Sequence, residues 1–230
     1  MKVNREMATR AALELLNEVG LEQLTLRLLG SRLKIQAATL YWHFKSKEDL
    51  IDAMATMVLA EGAPRLLPAR ESSDWRVWAA SFGTGLRDTL LTYRDGARMV
   101  SGTRLRDTQY LKTAERIAAK LVDSGFTVRQ TAVLLSTIYS YTLSFVMEEQ
   151  AVFPRPNKRS PHYDLAERNA RLDPKEFPTV RRSGPILFDK FDRRFKEGLE
   201  LILRGAESLP RRATAGPGRG GNRSGRPGRR

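Results

Sequence analysis

The sequence predicts an all-α protein: a small three-helix unit that leads through a connector helix into a larger helical body. Three observations carry this. No run of β-branched and aromatic residues alternates with polar ones between turn residues, as strands require. Apolar residues recur instead at spacings of three and four. Ser, Thr or Gly stands where these periodic runs start or stop.

The first helix is expected over residues 3–19, where Met7, Ala11, Leu15 and Val19 are four apart and Gly20 supplies a stop. Thr25 caps a short second helix ending near Arg32, and a third covers 36–44. Ser46 opens a fourth, with Asp49 at the capping-box position, running to Gly62. After Pro64 and Pro68, the series Trp75, Trp78, Phe82 and Leu86 marks a fifth helix ending near residues 94–96. A short sixth covers 97–102, a seventh runs over 107–124 with Gly125 as its stop, and Thr127 caps an eighth that continues to about Gln150. Residues 151–184 hold Pro154, Pro156, Pro161, Pro174, Pro178 and many charges, which predicts a long loop with one or two helical turns. A last helix over 186–209 carries the stripe Phe188, Phe191, Phe195, Leu199 and Ile202. Beyond Pro210 the Gly, Pro and Arg composition cannot bury a core and is expected to be disordered. The domains are thus 1–46 (helix-turn-helix), 47–209 (the body, with 47–62 as connector) and 210–230 (a disordered basic tail).

Composition narrows the function. The 230 residues are 41% hydrophobic, enough for a packed core, and include no cysteine, which excludes disulfide frameworks and thiolate metal sites. His43 and His162 are the two histidines, too few for a multi-histidine metal site, and no metal or cofactor is expected. The N-terminus leads into charged residues, and no apolar run is long enough to span a membrane, so a cytoplasmic location is expected. Net charge is +14, which points to an anionic partner. Half of it lies in residues 208–230, with seven arginines and no acid. The glycine-rich pattern at Gly216, Gly218 and Gly221 lacks the strand and helix that a nucleotide fingerprint needs. Inside the folded part, residues 23–47 contain Arg27, Arg32, Lys34, Lys45 and Lys47 without one acid.

Residues 24–44 read as two short helices joined by a tight turn. Leu40 and Phe44 are four apart, with Ala37 three before Leu40, giving one inward stripe against Leu24, Leu28, Leu29, Leu33 and Ile35. Thr39, Tyr41, Trp42 and His43 then fall off that stripe, beside Lys45 and Lys47. A basic, hydrogen-bonding outer face on the second helix is the arrangement that enters a DNA major groove. The plainer alternative puts Tyr41 and Trp42 partly in the core and the lysines on a solvated helix start.

Residues 11–54, AALELLNEVGLEQLTLRLLGSRLKIQAATLYWHFKSKEDLIDAM, resemble the N-terminal DNA-binding region of the TetR family of bacterial repressors. The similarity is to the tetracycline-repressor subgroup in particular. It continues through Tyr93-Arg-Asp-Gly-Ala97, Gly102-Thr103-Arg104, Gln109-Tyr110, Gly125-Phe126, Tyr141-Thr-Leu143 and Glu148-Glu-Gln150. The resemblance implies a homodimer that represses transcription by binding a palindromic operator and leaves it when a small molecule enters the body. An export or resistance gene is the regulated target it suggests. The implied DNA contacts are Thr25, Arg27, Thr39, Tyr41, Trp42, His43 and Lys47. Ala37 and Ala38 stand where tetracycline repressors carry polar base-reading residues, so the operator is expected to differ.

The effector site departs further from the resemblance. The magnesium-coordinating histidine of tetracycline repressors falls on Val100, the drug-holding asparagine and phenylalanine on Phe82 and Leu86, and the glutamine on Arg116. Thr103 and Glu148 survive from that polar set. Without the imidazole a magnesium-tetracycline complex loses coordination and orientation, so a different effector is expected. The candidate effector contacts are Phe82, Leu86, Val100, Thr103, Leu105, Arg116, Leu135, Tyr139 and Glu148. Each also has a core reading, and an apolar residue at helical spacing is core more often than ligand contact. Arg116 and Glu148 are charges on apolar helices that need a partner, a ligand or solvent. Dimerisation is expected through helix 8 (Leu135, Ile138, Tyr141, Thr142, Phe145) and the last helix (Phe188, Phe191, Phe195, Leu199, Ile202), whose apolar surface exceeds the needs of one core. Two alternatives remain open: an all-α enzyme, and an architectural DNA-binding protein without an effector.

Overall fold

The computed structural model describes residues 3–104, 109–155 and 158–212. Among them every regular element is helical: α1 (Arg5–Gln23), α2 (Leu26–Leu33), α3 (Ala37–Tyr41), α4 (Lys47–Gly62), α5 (Trp75–Leu91), α6 (Gly96–Val100), α7 (Gln109–Asp123), α8 (Val128–Val152), α9 (Leu165–Ala170), α10 (Pro178–Asp189) and α11 (Phe191–Glu207). Short 3-10 turns cover Ala63–Leu66 and Pro161–Tyr163.

The ends follow from the sequence. Asn4 caps α1 by accepting from the Met7 N–H at 2.8 Å, and regular α1 geometry breaks at Gly20, whose φ of 79° is open to glycine and strained for other residues. Ser46 accepts from the Asp49 N–H at 3.2 Å. The Asp49 carboxylate reaches back to the Lys45 N–H at 3.0 Å, one residue before the cap. At α8 the box is complete: Thr127 accepts from the Gln130 N–H, and the Gln130 side chain accepts from the Thr127 N–H at 2.8 Å.

Two expectations are revised. The last helix is two, because the chain turns at Lys190 (φ −112°, ψ 57°) between α10 and α11. The aromatic stripe continues across that break and hides it. The proline-rich stretch is also more helical than expected: Asp164 caps α9, and Pro178 sits in the first turn of α10, where its missing N–H costs no bond.

The small unit is α1 to α3, closed by α4, around Leu13, Leu16, Leu24, Leu29, Leu40, Phe44 and Leu50, all fully buried. In the body, α5 packs against α4, α7, α8 and α11. Between α8 and α11 lies an aromatic cluster, with Phe145 edge-on to Phe195 at 5.1 Å and Tyr141 stacked on Phe195 at 5.3 Å. Arg87 of α5 is buried beneath it, donating to Glu149 at 2.6 and 2.9 Å and to Asp192 at 2.7 Å. Gln150 ties three helices: its amide nitrogen donates to the carbonyls of Tyr93 (2.8 Å) and Leu90 (3.3 Å), and its oxygen accepts from the Ala97 N–H at 3.3 Å.

The expected surplus of apolar surface is corrected here. Ile138, Thr142, Phe145, Phe191, Phe195 and Leu199 are buried within one chain by α8–α11 packing, and Leu135, Tyr141, Phe188 and Ile202 are half-buried against the same core. The large apolar residues left outward are Val128, Val133 and Met147 on α8, Leu201 on α11, and Val180, Ile186 and Leu187 on α10.

Candidate nucleic-acid interface and effector-binding body

The turn between α2 and α3 is built from backbone bonds. Thr25 starts α2 by accepting from the Leu28 N–H at 3.1 Å. Lys34 ends it in the left-handed region (φ 54°), with its N–H on the carbonyls of Gly30 and Ser31, and the Ile35 N–H follows onto Gly30 at 3.0 Å. After α3, the Leu40 carbonyl accepts from both His43 (2.9 Å) and Phe44 (2.8 Å), so the chain leaves in a tight turn.

Burial then divides the segment sharply. Leu40 and Phe44 are 0% exposed, whereas Tyr41 is 58% and Trp42 is 89% exposed. Thr25, Arg27, Ala38 and Thr39 are exposed as well, and Ala37 and His43 are half-buried. Thus α2, α3 and the following turn bring these residues to one end of the small unit. Leu28, expected in the inward stripe, is 36% exposed instead. Lys47 is engaged differently from the rest: its ammonium donates to the carbonyls of Leu21 (3.0 Å) and Glu22 (3.3 Å), fastening the end of α1.

One residue of this end carried no sequence signal. Arg5, at the start of α1, donates to Asp49 at 2.9 Å and to the His43 carbonyl, and its guanidinium lies 4.6 Å over the Phe44 ring. It holds the turn after α3 against α1. Of the basic set, Arg32 is neutralised by Glu18 at 2.8 and 3.0 Å, whereas Arg27, Lys34 and Lys45 are exposed and meet no carboxylate among the described residues.

In the body, Phe82, Leu86 and Val100 are buried, and Thr103, Leu135 and Tyr139 are half-buried. The Thr103 hydroxyl donates to the Val100 carbonyl at 2.8 Å, closing the end of α6. Tyr110 of α7 is a further half-buried phenol; burial pushes it up to about 12, with the Tyr139 phenol adding to the rise, and burial raises Tyr139 too. Leu105 lies outside the described residues.

Arg116 and Glu148 both take part in surface ion pairs, the solvent-reaching alternative for each charge. Arg116 is held by Glu71 at 3.2 Å and leans over the Trp78 ring at 5.4 Å, and Glu148 accepts from Arg194 at 3.0 Å. Both side chains are more than half exposed, because solvation spares a charge the cost of burial. Among the described residues no cluster of three His, Asp or Glu could hold a metal, and no helix is long and apolar enough to cross a membrane.

Two family models match the chain: "Bacterial regulatory proteins, tetR family" over 8–54 and "Tetracyclin repressor-like, C-terminal domain" over 67–209. The class A tetracycline repressor protein from transposon 1721 of Escherichia coli is 36% identical over 206 residues, which are 89% of this chain and 90% of that protein. Among solved structures, a possible TetR family transcriptional regulator from Streptomyces coelicolor A3(2) is 32% identical with a TM-score of 0.78, over 89% of this chain and 98% of that one. The class A repressor in complex with 5a,6-anhydrotetracycline and magnesium is 33% identical with a TM-score of 0.64, over 92% and 100%. With both its DNA-binding end and its body matched, the chain belongs to the TetR family, transcriptional regulators rather than enzymes, which bind operator DNA, are released by ligands and typically form homodimers.

Proposed function

We propose that the protein is a homodimeric repressor that grips a palindromic operator with α3 and the turn after it, and that a small molecule other than magnesium-tetracycline releases it. The observation that carries this is the division at 39–44: two adjacent aromatic rings point into solvent while Leu40 and Phe44 on either side are fully buried. A soluble chain gains nothing in stability from Tyr41 and Trp42 there, and a partner surface accounts for them. In this reading Thr25, Arg27, Thr39, Tyr41, Trp42 and His43 contact DNA. Ala37 and Ala38 pack on bases without hydrogen bonding, and Lys47 acts by fixing α1.

The effector enters the body near Phe82, Leu86, Val100, Thr103, Leu135 and Tyr139. Val100 is 2% exposed and apolar, which supports a ligand held by packing and phenol hydrogen bonds in place of metal coordination. Pairing of two copies is supported by one face of α8, where Val133, Thr137, Ser140, Ser144 and Met147 are outward, together with Leu201 on α11. An export or resistance gene is the target consistent with a ligand-released repressor.

Footprinting across the DNA flanking the protein's own gene tests the core of this. A protected inverted repeat is expected. With Arg27, Lys34 and Lys45, which meet no carboxylate among the described residues, each neutralising a phosphate in both protomers, the log–log salt slope is about −5. Protection without sequence preference would overturn the reading in favour of an architectural protein.

A further inference from the structure

A cleft of about 1030 Å³ opens between the end of α1, the end of α5, the end of α8 and the α10–α11 break. That is the size of a small-molecule site, about 300–1,000 Å³. None of Phe82, Leu86 or Val100 lines it.

Its charges do not cancel locally. Four carboxylates line it, and each is held by a guanidinium outside the lining: Glu18 by Arg32 at 2.8 Å, Glu149 and Asp192 by Arg87 at 2.6 and 2.7 Å, and Asp189 by Arg159. Of the lining cations, Arg193 is paired with Glu197 at 2.8 Å. Arg155 and Lys190 meet no carboxylate among the described residues, and Arg94 comes only within 4.0 Å of one. Arg94 and Arg155 both donate to the Glu18 carbonyl, at 3.1 and 3.3 Å, which leaves further N–H groups on each guanidinium. The acids are therefore spent, and the cations are not.

The walls are aromatic. Phe153 and Phe191 meet edge to face at 5.9 Å, and Tyr93 lines the same space. Flat apolar rings beside unpaired guanidinium and ammonium groups fit a flat apolar ligand that ends in an anion.

We propose that this cleft is a second ligand site, separate from the effector region of the body, and that it takes a small planar aromatic carboxylate. The ring lies against Phe153 and Tyr93, with the buried Phe191 behind Phe153, and the carboxylate faces Arg155 and Lys190. The site does not depend on the effector reading of the body, because no residue is shared between the two.

Calorimetric titration of the full chain with salicylate, and with benzamide as the uncharged counterpart, tests it. Saturable salicylate binding is expected, with benzamide about tenfold weaker or more. Arg155→Glu with Lys190→Glu, both on exposed side chains and checked for native helical signal, should weaken salicylate by about tenfold or more. Three outcomes overturn the assignment: no salicylate binding, benzamide binding as well as salicylate, or salicylate affinity that survives the double charge reversal.

Discussion

Trp42 and Phe44 are two residues apart, and truncating each to alanine should have opposite consequences. Trp42 is 89% exposed, so about a tenth of its surface is covered. A buried tryptophan hides up to roughly 250 Å², so the covered share is about 25 Å², worth about 0.6 kcal/mol at ~25 cal/mol per Å². Trp42→Ala should therefore leave stability within about 1 kcal/mol. Phe44 is 0% exposed, sits under the Arg5 guanidinium, and its removal opens a cavity that costs about 3–5 kcal/mol. Operator affinity divides the other way. Loss of an aromatic anchor at the centre of an interface typically costs about 2 kcal/mol, close to thirtyfold, so Trp42→Ala should weaken operator binding by that order in a chain that is still folded. Urea unfolding followed by circular dichroism at fixed protein concentration gives the first quantity, and a gel-shift titration at fixed salt gives the second. A destabilisation by Trp42→Ala above about 2 kcal/mol, or an unchanged operator affinity, refutes the assignment of an outward DNA-binding face.

Arg87→Leu strands Glu149, whose side chain is 13% exposed, and should cost about 3–5 kcal/mol in urea unfolding; Arg87→Leu with Glu149→Leu should cost clearly less than the sum of the single changes. Tyr110, held at about 12 by burial, deprotonates later in the folded chain than in the unfolded one, where it titrates near 10.0. Its contribution is therefore complete below pH 10 and is lost as pH rises toward 12, a fall of roughly 2–3 kcal/mol that Tyr110→Phe should remove from the alkaline limb of a stability profile. A methyl group at Gly198 would lie 2.2 Å from the Tyr141 hydroxyl, which donates to the Phe195 carbonyl at 3.0 Å; Gly198→Ala should destabilise by about 1–3 kcal/mol, and Tyr141→Phe in that background should recover part of it.

What could be read in advance depended on whether a residue's role is local. Thr25, Ser46 and Thr127 act on backbone groups within three residues and each caps a helix where its type suggests, while Gly20 breaks α1 near the expected stop and the helix resumes to Gln23. The four-residue spacing of Leu40 and Phe44 likewise fixed the inward side of the recognition segment without knowledge of anything distant. Leu28 failed because α2 is eight residues long, and a stripe that short leaves the orientation of its edge positions to tertiary packing. The α10–α11 break was hidden because apolar spacing carries across Lys190, which has neither glycine nor proline to mark it. The ion pairs of Arg116 and Glu148 were illegible for a related reason. Their partners, Glu71 and Arg194, are 45 and 46 residues away, and no periodicity brings such pairs together. Arg5 holds the turn after α3 from 38 residues upstream and was invisible on the same grounds.

Gln150 has a consequence for how the body can move. One planar amide joins the last carbonyls around α5 to the first turn of α6, and it is carried by α8. Its two ends are rigidly coupled, so α6 cannot slide past α8 by lengthening a single bond. The latch is either closed on both sides or open on both. An intermediate displacement would lose a partly buried hydrogen bond without gaining another, which disfavours it. A graded push on α6 is then expected to give a two-position response, and Gln150→Glu, which keeps the acceptor and loses the donor, should leave the latch half fastened.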